Sequence, residues 1–145
     1  MQSQLTLDHL DAQRAVVAIQ TELQRRGKAA VITVADAHGE LLALLRVGNA
    51  PLASILIASN KAWTAARERK PSRELGQSAR HPEHGFDIAY FGDSRYIGWG
   101  GGLPVLVQQT VVGAVAVSGL PEQEDIELAQ LGVDAINAEL AQQQK

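Results

Sequence analysis

Cysteine is absent from the 145-residue chain, which excludes disulfides, thiolate metal ligands and Cys nucleophiles together. A basic excess is missing too. The formal net charge is −3 with 20% charged residues, which argues against a nucleic-acid partner. The longest apolar run, Val111 to Val117, is interrupted by Gly113 and falls far short of the roughly 20 residues a membrane span needs, so no membrane partner is expected. Met1-Gln2-Ser3-Gln4 has neither the basic start nor the apolar stretch of a secretory leader, and the expected location is the cytoplasm. Aromatics are scarce, at 4%, and uneven: five of the six lie between Phe86 and Trp99. The length suits one domain over residues 1–145, large enough to bury roughly 70% of its unfolded surface.

The patterns that are present describe an α+β domain. Ala12, Val16, Ile19 and Leu23 recur at helical spacing between a capping Thr6 and the stop at Gly27. Ala29 to Ala35 reads as a buried strand, Asp36-Ala37-His38-Gly39 as a turn and Glu40 to Arg46 as a returning strand. Leu52 to Lys70 reads as a long helix, apolar nearly all round at its start, which predicts burial between layers or at a subunit contact. Pro71 ends it, and Ser72 is placed to cap a short helix reaching about Ala79. A polar loop over 77–86 follows, then short strands at Ile88–Phe91 and Tyr96–Trp99, a break at Gly100-Gly101-Gly102, and strands at Val105–Gln109 and Thr110–Ser118. Pro121, with Glu122, Glu124 and Asp125, opens a final helix whose stripe is Ile126, Ala129, Val133, Ile136 and Leu140. The tail, Gln142 to Lys145, is expected to fray. Strands joined by short turns make the sheet antiparallel.

Few residues stand out as carriers of chemistry. Gly98-Trp99-Gly100-Gly101-Gly102 is no phosphate loop, because no Gly-Lys-Ser/Thr follows; it allows close approach to a ligand or a neighbouring chain, or simply a bend between strands. His81 and His84 are three apart, but Pro82 argues against a helix that would align them as a metal pair. Lys61, near Trp63 and Thr64 in an apolar helix, either binds a carboxylate or snorkels at the helix edge. Glu124 and Glu127 could hold a hard cation or merely complement a helix N-terminus. Residues 61–80 carry six bases against two acids, either a solvated face or a basic rim beside an anion site.

Several segments together resemble the GlcG/HbpS family, the small haem-binding or haem-degrading-like domain also found at the end of some corrinoid adenosyltransferases. They are Leu5-Thr6-Leu7, Val34 to Leu41, then Ser54, Ala58, Lys61-Ala62, Thr64-Ala65 and Pro71 in and after the long helix. Further on come Gly101 to Pro104, Gly113 to Gly119, and Asp125 with Ala129 and Gly132. The resemblance covers most of the chain and implies a profilin-like sandwich with a five-stranded antiparallel sheet flanked by helices. It implies a homo-oligomer built from dimers, and haem or a related anionic planar ligand. This chain departs from the family at Arg46-Val47-Gly48-Asn49, where an acid often follows the Arg, and over 80–99, which holds both loop histidines.

Three readings follow. In the first, a small-ligand-binding protein, haem lies between the long helix and the Gly-rich loop. Lys61 or Arg67 meets a carboxylate, Thr64 lines the site, Trp99, Gly101 and Gly102 flank the ring, and His84 or His81 is the axial ligand. With no Cys, an iron ligand must come from the four His or a weak oxygen donor. In the second, a small enzyme or accessory factor acts on a catabolic intermediate, with Lys61, Thr64, His84 and Asp36 sharing one pocket. In the third, the domain is an oligomeric scaffold or sensor without chemistry.

Overall fold

The computed structural model describes residues 1–143. Helix α1 (His9–Arg26) is followed by strands β1 (Val31–Asp36) and β2 (Leu41–Arg46). Helices α2 (Ala53–Glu68) and α3 (Ser72–Ala79) come next, then β3 (Gly102–Val107), β4 (Thr110–Ser118) and α4 (Glu122–Gln143). The strands form one antiparallel sheet in the order β2-β1-β4-β3. Among the described residues no helix is long and apolar enough to cross a membrane.

The sheet is covered on both faces, and side-chain size sorts by face. On one side Ile32 and Val34 of β1 and Val115 and Val117 of β4 meet Ala15, Ile19 and Leu23 of α1 and Leu128, Ala129 and Ile136 of α4. On the other, Ala35, Ala114 and Ala116 meet Ala62, Ala65 and Ala66 of α2. The alanines let α2 lie close to the sheet. Cover on both sides explains why β1 and β4 read as near-continuous apolar runs.

The expected five strands are four. Ile88–Phe91 forms a 3-10 turn, because the Asp87 carboxylate accepts the Ala89 N–H at 2.9 Å and Gly92 closes the turn in the left-handed region. Tyr96–Trp99 is irregular and pairs with no strand. The sheet therefore ends at β3, whose Pro104 suits an edge strand.

Two caps also differ from expectation. Asp8, not Thr6, caps α1: its carboxylate accepts from Leu10 and Asp11, and Asp11 answers the Asp8 N–H. Thr6 instead accepts the Ala37 N–H at 2.9 Å, tying the N-terminal segment to the β1–β2 turn. Ser72 makes no cap bond; its hydroxyl donates to the Trp99 carbonyl at 2.7 Å and accepts from Gly102 N–H at 3.0 Å, fastening the Gly-rich loop to α3. Helix α4 continues through Gln142 to Gln143; the rest of the tail expected to fray lies outside the described residues.

Candidate functional site

The expected site residues divide among three places. The first is an interior ion pair. Lys61 leaves α2 toward the sheet, and its ammonium donates to the Val117 carbonyl at 3.0 Å and to the Asp125 carboxylate at 3.2 Å. Both side chains are only 4% exposed. The other Asp125 oxygen accepts the Leu120 N–H at 3.1 Å. Burial pushes the Lys61 ammonium below its usual range and the Asp125 carboxyl above its own, each outweighing their mutual attraction. A cleft of about 350 Å³ opens beside the pair, lined by Ser54, Trp99, Gly100 and Ser118. The Gly-rich loop forms its rim: Gly100 N–H donates to Glu122 at 3.0 Å, and Gly101 and Gly102 press against Lys61. Because Lys61 already holds a carboxylate within the chain, its charge is committed.

The second place is the end of α2. Trp63 is buried, with the Arg67 guanidinium 4.6 Å and the Arg95 guanidinium 4.3 Å from its ring centre. Tyr96 packs edge-on against the same indole at 4.5 Å. Thr64 is spent structurally: its hydroxyl donates to the Arg95 carbonyl at 3.2 Å and accepts the Ile97 N–H at 3.1 Å, holding the 93–97 segment on α2. Arg67 reaches a different cleft from Lys61, bounded by His38, Tyr96 and the β3–β4 turn.

The third place is the exposed segment over 80–99. His81 and His84 stack, ring centres 5.1 Å apart. The His81 Nδ1 accepts the backbone N–H groups of Glu83 and His84 at 3.1 and 3.0 Å. Neutral His81 therefore carries its proton on Nε2 and offers that nitrogen to no metal. His84 makes no such bond and is 81% exposed. Phe86 and Phe91 stack at 5.5 Å, Phe91 meets Tyr96 edge-on at 4.9 Å, and Tyr90 and Trp99 face solvent.

The grouping required by the second reading does not form. Lys61 is buried against Asp125, Thr64 is tied to backbone, Asp36 accepts the His38 and Glu40 N–H groups in its turn, and His84 stands in solvent. Glu124 binds Lys28 at 2.6 Å and Arg26 at 3.2 Å, clamping the end of α1 instead of a cation. Among the described residues no group of three His, Asp or Glu could hold a metal ion. The sequence reading missed Asp125 as the partner of Lys61. A lysine inside an apolar helix demands a buried acid, and that demand was the available signal.

Comparison with known proteins adds the context. A family model described as "Haem degrading protein HbpS-like" matches residues 7–134. The protein GlcG of Escherichia coli is 32% identical over 118 residues, 81% of this chain and 85% of that one. Klebsiella pneumoniae protein ORFY superposes with a TM-score of 0.87 at 31% identity, covering 95% of each chain. A PduOC:Heme complex superposes with a TM-score of 0.83 at 25% identity, over 92% of this chain and 96% of that one. The chain spans about a third of the corrinoid adenosyltransferase PduO of Salmonella typhimurium, which it also matches, or 32% of its length.

Proposed function

The chain belongs to the HbpS-like family, and on that premise we propose that it binds haem or a related tetrapyrrole on the surface of the 80–99 segment, with His84 as the iron ligand. The observation that supports haem binding is the likeness, over 92% of this chain, to a PduOC:Heme complex. The residues of the segment fit the group. Haem needs one accessible nitrogen and apolar faces for its ring. His84 stacks on His81 and lies 3.8 Å from the Glu83 carboxylate, yet its imidazole stays exposed, and the same segment carries the stacked Phe86 and Phe91 and the exposed Tyr90. Bound there, haem supplies an iron centre that accepts an imidazole. The protein's share would be to present His84 and cover part of the ring. His81 serves as a turn brace, its Nδ1 holding the two N–H groups that shape the loop.

Titrating the purified protein with hemin is the test. The wild type gives a saturable Soret shift, His81→Ala keeps it, and His84→Ala weakens binding about tenfold or more. No shift in the wild type, or an unchanged shift in His84→Ala, sinks the reading.

The same reading includes self-association. Leu52 and Leu56 at the start of α2 are 70% and 66% exposed, an apolar end suited to a second copy. Light scattering should return a multiple of the 15.5 kDa chain mass. A monomer at micromolar concentration would remove this part of the proposal and leave the haem part standing.

A further inference from the structure

Backbone strain in this chain is concentrated at one cleft. Among the described residues three that are not glycine have positive φ: Arg69 at 59°, Gln108 at 50° and Gln109 at 68°. Gln108 and Gln109 form the two-residue turn between β3 and β4, a position that normally takes Asn-Gly. Arg69 is the left-handed C-cap of α2, a position that normally takes glycine. Arg69 and Gln109 both line the cleft of about 470 Å³ that also receives Arg67, His38, Tyr96 and Gln4. Strain of this kind costs of order 1–3 kcal/mol per residue and persists where surrounding structure or function holds it.

The left-handed turn at Arg69 has a geometric result. In a continuous helix residues two apart point to nearly opposite faces. Leaving the helix at Arg69 brings its side chain to the same cleft as Arg67. The Arg67 guanidinium carbon lies 4.6 Å from the Trp63 ring centre, a cation–π contact that holds the group at the cleft. Its one hydrogen bond among the described residues is a long 3.5 Å contact to the His38 carbonyl. Among the described residues neither Arg67 nor Arg69 forms an ion pair, and no Asp or Glu lines the cleft. Two guanidinium groups outside any ion pair, with amide and phenol groups around them, match carboxylate or phosphate oxygens; Asp93, whose carboxylate feels the Arg67 charge, is itself paired with Arg95 at 2.8 Å.

We propose that this cleft, between the end of α2, the β1–β2 turn and the β3–β4 turn, is a binding site for a small organic anion bearing a carboxylate or phosphate group, gripped by Arg67 and Arg69. Its lining holds neither His84 nor the stacked phenylalanines, and it adjoins the haem surface only through Tyr96, which meets Phe91 edge-on.

The test uses the full chain, labelled with nitrogen-15, titrated with sodium malonate, inorganic phosphate and sodium chloride at matched ionic strength. Malonate or phosphate should shift the His38, Gln109 and Thr110 amides saturably at low millimolar concentration, while chloride does not. A clear preference between the two tells carboxylate from phosphate chemistry. Arg69→Gly should raise the dissociation constant about tenfold or more. Its thermal midpoint should equal or exceed that of the wild type, because glycine takes the left-handed turn without strain. Arg67→Gln, within the regular helix, gives the same loss of binding. The inference falls if all three salts act alike, or if either arginine variant binds as the wild type does. His84→Ala must keep anion binding and Arg69→Gly must keep the hemin response, so this proposal and the haem reading fail separately.

Discussion

Replacing Lys61 by methionine is expected to destabilise the protein by about 3–5 kcal/mol, the usual cost of orphaning one partner of a buried ion pair. The substitution keeps the length of the side chain but leaves the Asp125 carboxylate inside without its cation. Urea unfolding measures the loss. Adding Asp125→Asn to Lys61→Met should recover more than half of it, since the asparagine oxygen can still accept the Leu120 N–H while the unpaired charge is gone. A loss below about 1 kcal/mol for the single variant would mean that the pair is not carrying a buried charge.

The same variant has a pH signature. Burial holds the Asp125 carboxyl above its ordinary 3.8, and Lys61 opposes that shift. Without Lys61 the carboxyl rises further. A carboxyl whose folded value is raised contributes its stability below the unfolded value and loses it as pH rises through the folded one. The deficit of Lys61→Met against wild type should therefore shrink as pH falls from about 7 toward about 4. A deficit that grows on acidification would contradict the assignment.

Gly101→Ala is expected to cost about 3 kcal/mol or more, combining backbone strain with overpacking. Gly101 sits at φ 127°, a region that side chains rarely adopt, and an added Cβ would lie 2.6 Å from the Val117 carbonyl oxygen and 2.8 Å from the Lys61 ammonium. The loop must then lift off α2 and disturb the ion pair beneath it. Gly27→Ala is the control. Gly27 has φ 64° with nothing within 4 Å of a new Cβ, so it reports backbone strain alone, about 1–2 kcal/mol. Equal thermal midpoints for the two variants would remove the collision from the account.

How far the sequence could be read differs from element to element. The helices were legible because their buried faces repeat at helical spacing, as Ala12, Ile19 and Leu23 show in α1. Both inner strands were legible because cover on two faces makes them nearly all apolar. Ile88–Phe91 was misread because Ile, Tyr and Phe favour strands locally, while the Asp87 cap and the missing edge partner decide for a 3-10 turn. Thr6 and Asp8 were both chemically able to cap α1, and only the path of the N-terminal segment, pinned to Ala37, separates them.

The candidate sites were legible as residue types and not as groupings. Lys61, Arg67 and His84 were each singled out, yet three different surroundings receive them. Composition and periodicity determined the α+β class, the antiparallel sheet and the want of thiol chemistry. Those properties follow from local spacing and from which side chains exist at all. Tertiary structure alone decided that Lys61 meets an acid 64 residues away, that His81 is occupied by its own turn while His84 is not, and that Arg67 and Arg69 share one cleft. The physical reason is that pairing, desolvation and the left-handed end of a helix depend on neighbours distant in sequence, which periodicity does not encode.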